Sequence, residues 1–312
     1  MVTFATKPGY FDYRLNDGSQ HGSRPRDYST DVLGAHAVDF IRDTPTDKPL
    51  FTYFAPVGPH RPFSPAPRHS GAWAGKLPSH KGRSVTASVK NKPPWIRNRR
   101  RVPQKTIDAQ IASAQEALMS IDEAVKDLVQ ALTDTGRIGN TMFIFMSDNG
   151  LMAGEHHLNP WKNVPYRWST SVPMTIRWDG HLPANRTDRR LALNIDVATT
   201  IADAASATMS TDGLSLLRSR TRPGFPLEGG PWRRFDSLPK HPAYCGWRTK
   251  NWMYTQYATG EQELFHYRDD RHELRNLADE PAHRARLKEM RAAAKAACKP
   301  VPPNFSWPPQ GK

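Results

Sequence analysis

The stretch "FIFMSDNGLMAGEHHL", residues 143–158, decides how the chain is read. An apolar run stops at Ser147; Asp148, Asn149 and Gly150 follow at once, and His156 and His157 come shortly after. Upstream, Ile107, Ile111, Ala114, Leu118, Ile121, Val125, Leu128 and Leu132 recur at steps of four and three, the spacing of one helix face. The pattern predicts a helix over 106–133, a "GRIGN" turn that ends it, and a strand over 141–147 that is apolar on both faces. Helix, short turn and two-sided strand make an α/β unit. In open α/β sheets ligands collect beyond the carboxyl ends of strands, which is where Asp148 and Asn149 stand.

Working outward, "DVLGAHAVDFIRD" (31–43) predicts a short amphipathic helix with Val32, Leu33, Ala37, Phe40 and Ile41 on one side. Residues 50–55 predict a buried strand, followed by a proline-rich loop that carries His60. Residues 66–105 show much charge and little periodicity, which predicts a long surface loop. "VPMTIRW" from Val172 predicts a strand, and 193–205 a strand-to-helix passage. From about residue 224, aromatic and polar residues alternate around a "TGEQ" turn, the pattern of a small antiparallel sheet. A basic helix over about 281–297 and a proline-rich tail close the chain.

The chain has 312 residues, enough for one large domain and an appendage. Its 44 Lys and Arg against 30 Asp and Glu favour anionic partners such as a polyanion or a small oxyanion ester. No nucleic-acid-binding motif is present, and the terminal helix is too weakly apolar to anchor in a membrane. Cys245 and Cys298 lack the spacing of a zinc ribbon or thioredoxin-like motif, and a single disulfide stays open. There is no apolar run of about 18 residues and no signal-peptide region after Met1. If Met1 is the true start the expectation is cytoplasmic; a longer parent leaves secretion or a periplasmic location open.

Four groups near predicted strand ends carry the candidate chemistry: His60, Asp148, Asn149 and Lys162. An adjacent carboxylate and carboxamide supply the hard oxygens that calcium or magnesium selects. A histidine and a lysine supply proton transfer and positive charge beside an anionic ester. Together they describe half of a metal-assisted hydrolase site for a sulfate or phosphate ester. Singly each has a plainer reading, since "DNG" is a turn signal and a loop histidine or surface lysine is commonplace. The ordered combination is what points to a site.

"MSDNGLMAGEHHLNPWKNVPYRWSTSVPM" resembles the sulfatase signature, in which a strand ends in Asp-Asn-Gly before a Gly-Glu-His, a lysine and a Val-Pro. "DYSTDVLGAHAVDFIRD", "PLFTYFAPVGPHRPFSPAPRH", "SIDEAVKDLV" and "GEQELFHYRDDRHELRNLAD" match the same family in order. The resemblance covers most of the chain and is closest to the N-acetylglucosamine-6-sulfatase-like branch of the arylsulfatases, within the alkaline phosphatase superfamily. It implies an α/β fold, a mixed sheet between helices, with a small C-terminal antiparallel sheet plus helix. On that pattern residues 1–223 are the C-terminal part of the catalytic domain and 224–312 a small α+β subdomain with its tail. The resemblance further implies a Ca2+ site with Asp148 and Asn149 as ligands, His60 and Lys162 as catalytic residues on the sulfate, and His156 as a substrate-binding residue at the pocket rim. A sulfated small molecule or glycan is the expected partner.

The family's nucleophile, a formylglycine made from cysteine in a Cys-x-Pro/Ala-Ser-Arg motif, is absent: Cys245 begins "CGWRT" and Cys298 begins "CKPVP". The early paired aspartates and the lysine–histidine pair of the family pattern are absent too. All of these precede "YFDYRLNDG" in the family's order, so the expectation is an N-terminally truncated sulfatase, inactive on its own. Arg167 and Ser171 stand where the family usually has glutamate and arginine. Two other readings remain at this point: a phosphodiesterase or phosphonate hydrolase of the same superfamily, and a non-catalytic polyanion-binding remnant resting on the net charge of +14 and on "RNRRR" at 97–101.

Overall fold

A computed structural model describes residues 1–230 and 241–308. Strands β1 (Tyr13–Arg14) and β2 (Gln20–His21) form a short antiparallel ribbon, and helix α1 (Ser29–Asp43) follows. Single turns α2 (Arg83–Thr86) and α3 (Pro94–Arg97) precede the long helix α4 (Gln104–Asp134). Next come β3 (Phe143–Met146), α5 (Arg167–Thr170), β4 (Met174–Arg177) and α6 (Asp196–Ala204). Strands β5 (Phe225–Gly229), β6 (Tyr244–Arg248), β7 (Trp252–Tyr257) and β8 (Gln262–His266) lead to helix α7 (Arg284–Ala297). The chain divides into two compact units: Met1–His80 with Pro103–Phe145 and Thr175–Ala184, and Lys81–Val102 with Met146–Met174 and Asn185–Lys312.

In the first unit α1 packs on α4. Ile41, Leu128, Ala131 and Leu132 form the centre, with Ala37, Val38, Leu50, Phe54, Ile138 and Phe143 against it. The buried face of α4 is turned from the predicted stripe: Ala117, Ser120 and Ala124 are buried, whereas Leu118, Ile121 and Val125 are half-buried. Close helix approach explains the turn. A Cβ added to Gly34 of α1 would lie 3.2 Å from the Ala124 Cβ, so small residues set the spacing there. Phe40, predicted on the apolar side of α1, is 49% exposed. The end of α4 follows its sequence signal: Gly136 takes φ +69°, and the Arg137 N–H donates to the Leu132 carbonyl at 2.8 Å.

Two strand expectations need correction. Residues 50–55 pair with no strand among the described residues; Leu50 and Phe54 face the α1–α4 cluster, while Phe51 and Tyr53 are 66% and 82% exposed. Only Leu50 and Phe54 turn inward, and no hydrogen-bonded neighbour is present among the described residues. Strand β3 forms, yet among the described residues it pairs only with β4 in a two-stranded sheet, and Phe145 is exposed rather than covered.

The second unit is built on the antiparallel sheet β5-β6-β7-β8, with the "TGEQ" turn joining β7 to β8 through Gly260 at φ +103°. Helix α7 lays Met290 and Ala294 on Tyr254, Leu264 and Leu277, and leaves Arg284, Lys288 and Lys295 exposed. The expected surface loop over 66–105 is corrected as well. Ser84, Val85, Val89, Lys92 and Ile96 are buried, and Val89 and Ile96 share a cluster with Tyr166, Met253, Tyr257 and Phe265. Prolines 93 and 94 break the segment into single turns, too short to show a helical period. Within "RNRRR", the Arg99 guanidinium lies over the rings of Trp95 and Trp161 at 5.4 and 4.3 Å, and burial pulls its pKa down. Among the described residues no helix is long and apolar enough to cross a membrane.

Candidate functional site

Two residues beyond β3 the chain turns sharply, and the turn is fixed by its own side chains. The Asn149 N–H donates to the Asp148 carboxylate at 2.8 Å, and the Ser147 hydroxyl donates to the Asn149 carbonyl at 2.9 Å. Asn194 clamps the turn from outside, its amide donating to the Asp148 carbonyl at 2.7 Å. Gly150 is required by close approach: its N–H donates to the Ser169 carbonyl at 3.0 Å, and an added Cβ would sit 2.1 Å from the Trp168 carbonyl oxygen. The "DNG" glycine therefore serves a packing contact as well as a turn.

From here the chain makes a loop and comes back. Met152 and Trp161 exchange backbone hydrogen bonds of 2.7 and 3.2 Å in an isolated antiparallel bridge. Inside the loop Gly154 takes φ +109°, and Glu155 accepts a hydrogen bond from the Ala153 N–H at 2.5 Å. The bridge returns Lys162 to the turn, where its Nζ donates to Asn149 Oδ1 at 3.1 Å. Asp148, Asn149 and Lys162 are thus brought together, with the Asp148 side chain exposed.

His156 is placed inside, only 1% exposed, its ring stacked obliquely on Tyr166 with centroids 4.7 Å apart. Among the described residues its Nε2 has no hydrogen-bond partner, and it lies 4.0 Å from the Glu273 carboxylate, too far for a hydrogen bond. Burial, helped by the charge of Lys92, holds the imidazole well below its usual pKa, so the ring is neutral. Burial likewise pushes Glu273 up to about 7, although Lys92, the Arg167 N–H and the Tyr267 hydroxyl work against the shift. Arg167 therefore meets an acidic partner through its backbone: its N–H donates to both Glu273 oxygens at 3.0 Å. Below this lies a second buried acid. Glu263 accepts from Lys92 at 3.2 Å, from Tyr166 at 2.6 Å and from Tyr257 at 2.8 Å.

His60 belongs to the first unit and is exposed. Its Nδ1 lies 2.9 Å from the Arg61 carbonyl, which fixes that nitrogen as the donor and leaves Nε2 as the acceptor in the neutral ring. Tyr10 holds the loop by donating to the His60 carbonyl at 2.5 Å, and Tyr28 donates to the Ser64 carbonyl at 2.9 Å.

Sequence reasoning missed Asn194, Lys92, Glu263 and Glu273. Contacts across 46 to 171 residues leave no local pattern for Asn194 or Lys92. Glu263 did leave one: it stands beside Leu264 and Phe265 in β8, and a carboxylate that enters the core asks for a buried partner.

Comparison with known proteins gives the family and the fold. A profile described as Sulfatase matches residues 3–207. The chain is 30% identical over 221 residues to N-acetylglucosamine-6-sulfatase of Homo sapiens, a match covering 67% of this chain and 39% of that enzyme. The chain thus spans about two-fifths of the length of that curated relative. In fold it is similar to a solved structure in complex with its substrate D-glucosamine-2-N,6-O-disulfate, with a TM-score of 0.84, 18% identity, and coverage of 96% of this chain and 75% of that one. Phosphonate monoester hydrolase from Silicibacter pomeroyi gives a TM-score of 0.73 at 20% identity, covering 95% and 66%. The fold is accordingly mixed α/β of the sulfatase and alkaline phosphatase type. With the profile spanning most of the chain and the Asp148-Asn149-Gly150 turn within it, this chain belongs to the sulfatase family.

Proposed function

We propose that these residues carry one side of a sulfate-ester hydrolase site, acting on a sulfated sugar. The observation that carries the reading is the 3.1 Å contact of Lys162 with Asn149, beside the exposed carboxylate of Asp148. The relative named for N-acetylglucosamine 6-sulfate and the fold neighbour complexed with a disulfated glucosamine support the sugar. The phosphonate hydrolase shares the fold at 20% identity, so the fold alone does not choose between esters; the closer sequence relative favours sulfate.

The donor set suits part of a calcium site. Asp148 and Asn149 offer hard oxygens, but calcium takes about six to eight, and among the described residues Asp148 belongs to no cluster of three acidic, histidine or cysteine ligands. These two residues would hold one face of the ion, whose charge, when bound, steadies a sulfate oxygen. Lys162 holds the Asn149 amide in place with one N–H and keeps others to meet a sulfate oxygen. His60, by the family pattern, carries the proton transfer, with Nδ1 held by Arg61 and Nε2 left to exchange the proton.

Neither Cys245 nor Cys298 lies in the motif that yields the family nucleophile. We infer that the nucleophile and the remaining metal ligands are supplied outside these 312 residues and that this chain alone turns over no sulfate ester. The test compares the 312-residue chain with a product extended through the upstream coding sequence, on glucosamine 6-sulfate, an aryl sulfate and an aryl phosphonate. Sulfate turnover by the extended product alone is expected. Turnover by the short chain, lost on Asp148→Ala, would overturn the inference about the nucleophile. A preference for phosphonate would move the substrate to the other branch.

A further inference from the structure

The two cysteines lie 53 positions apart, yet the fold of the second unit brings them together with a carboxylate. Cys245 is the second residue of β6, and its cross-strand partner in the register of β5 is Glu228. Residues opposite each other on one face of an antiparallel pair hold their side chains about 5 Å apart. Cys298 is the C-cap residue of α7, with its N–H on the Ala294 carbonyl at 2.9 Å. One donor atom from each of Glu228, Cys245 and Cys298 lies within 4.8 Å of the other two.

The surroundings differ on the two sides. Both thiols are free and buried, packed among Ala243 and Phe305 with Trp307 alongside. Glu228 is exposed, which gives the cluster an opening to water. We propose that Glu228, Cys245 and Cys298 bind one zinc ion, with water in the fourth position, and so fasten the end of α7 to the sheet.

The donor chemistry favours zinc. Two thiolates and one carboxylate form a mixed soft and hard set, unlike the all-oxygen sets that calcium and magnesium select. Zinc bonds of about 2.3 Å to sulfur and about 2.1 Å to oxygen place tetrahedral donors roughly 3.5–3.8 Å apart, inside the 4.8 Å limit of the cluster. Zinc takes cysteine as thiolate, so binding displaces thiol protons to the solvent and strengthens as pH rises. A disulfide between the cysteines would use the same two sulfurs and leave Glu228 without a part. The site owes nothing to the sulfatase reading, since none of its three residues lies in the matched span.

The experiment is metal titration of the purified 312-residue chain, reduced and free of chelator, with zinc and then with cobalt as a spectroscopic substitute. The expected results are one zinc per chain, proton release on binding, and a thiolate-to-cobalt charge-transfer band. Zinc at a hundredfold excess over its dissociation constant should raise the thermal midpoint by about 5 °C. Cys298→Ser should weaken zinc binding at least about 100-fold, and Glu228→Gln about 10-fold. Because Glu228 is exposed, its variant keeps the fold and the proposal stays testable even if the cysteine variant unfolds. Cobalt binding without the charge-transfer band, affinity unchanged in Glu228→Gln, or thiols already joined in a disulfide after purification without reductant would each overturn the proposal.

Discussion

Lys162 and Asn149 are thirteen residues apart in sequence and 3.1 Å apart in space. The bridge between Met152 and Trp161 makes the difference, because it folds the intervening loop back on the turn. The amide oxygen of Asn149 is thereby oriented by a cation before any ligand arrives.

The first prediction concerns that pair. In an extended product that turns over sulfate esters, Lys162→Met should lower kcat by about 10²–10³, the usual effect of losing one charged donor at a developing anion. Unfolding by urea should be nearly unchanged, because Lys162 makes its contact in a partly exposed site. A normal kcat would remove Lys162 from the site.

Gly150→Ala should destabilise the chain by about 3 kcal/mol, at the upper end for an overpacked site. The new Cβ meets backbone, the Trp168 carbonyl at 2.1 Å, which has no rotamer to move. Urea denaturation would measure it, with Gly139→Ala as the control, since nothing lies within 4 Å of a Cβ there.

Breaking the buried ion pair of Lys92 with Glu263 should also be costly. Lys92→Met leaves a carboxylate that is buried and short of its cation, at a cost of about 3–5 kcal/mol. Combining Lys92→Met with Glu263→Gln should recover more than half of that loss, as the Gln amide oxygen still accepts from Tyr166 and Tyr257. Additive losses in the double-mutant cycle would show that the two residues act independently.

Glu273 should leave a signature in the pH dependence of stability. Its folded pKa of about 7 lies above the ordinary 4.5, so between those values the folded state holds the proton that the unfolded state releases. The stabilisation is complete below about pH 4.5 and is lost as pH rises through about 7, a total of about 3 kcal/mol. His156 acts in the opposite sense, since its depressed pKa makes the folded state resist protonation as pH falls below about 6.5. Glu273→Gln should therefore flatten the decline between pH 5 and 7 and expose the rise due to His156. An unaltered pH profile in the variant would falsify the assignment.

Much of this protein is local in origin and was legible from the sequence. The steps of four and three along 106–133 give α4, Gly136 ends it, and the "TGEQ" turn joins β7 to β8, because each depends on neighbours a few residues away. The ordered motifs around Asp148, Asn149 and Lys162 carried the family for the same reason. Tertiary structure decided the rest. Which face of α4 is buried depends on how closely Gly34 lets α1 approach, and residues 50–55 make no strand because an apolar run also needs a hydrogen-bonded neighbour. Asn194 at Asp148, Lys92 at Glu263, and the meeting of Cys245, Cys298 and Glu228 are contacts between distant segments. Sequence spacing encodes the dihedral periods of helix, strand and turn; packing of distant segments is set by side-chain volume and by pairing of buried charge, and leaves no period to read.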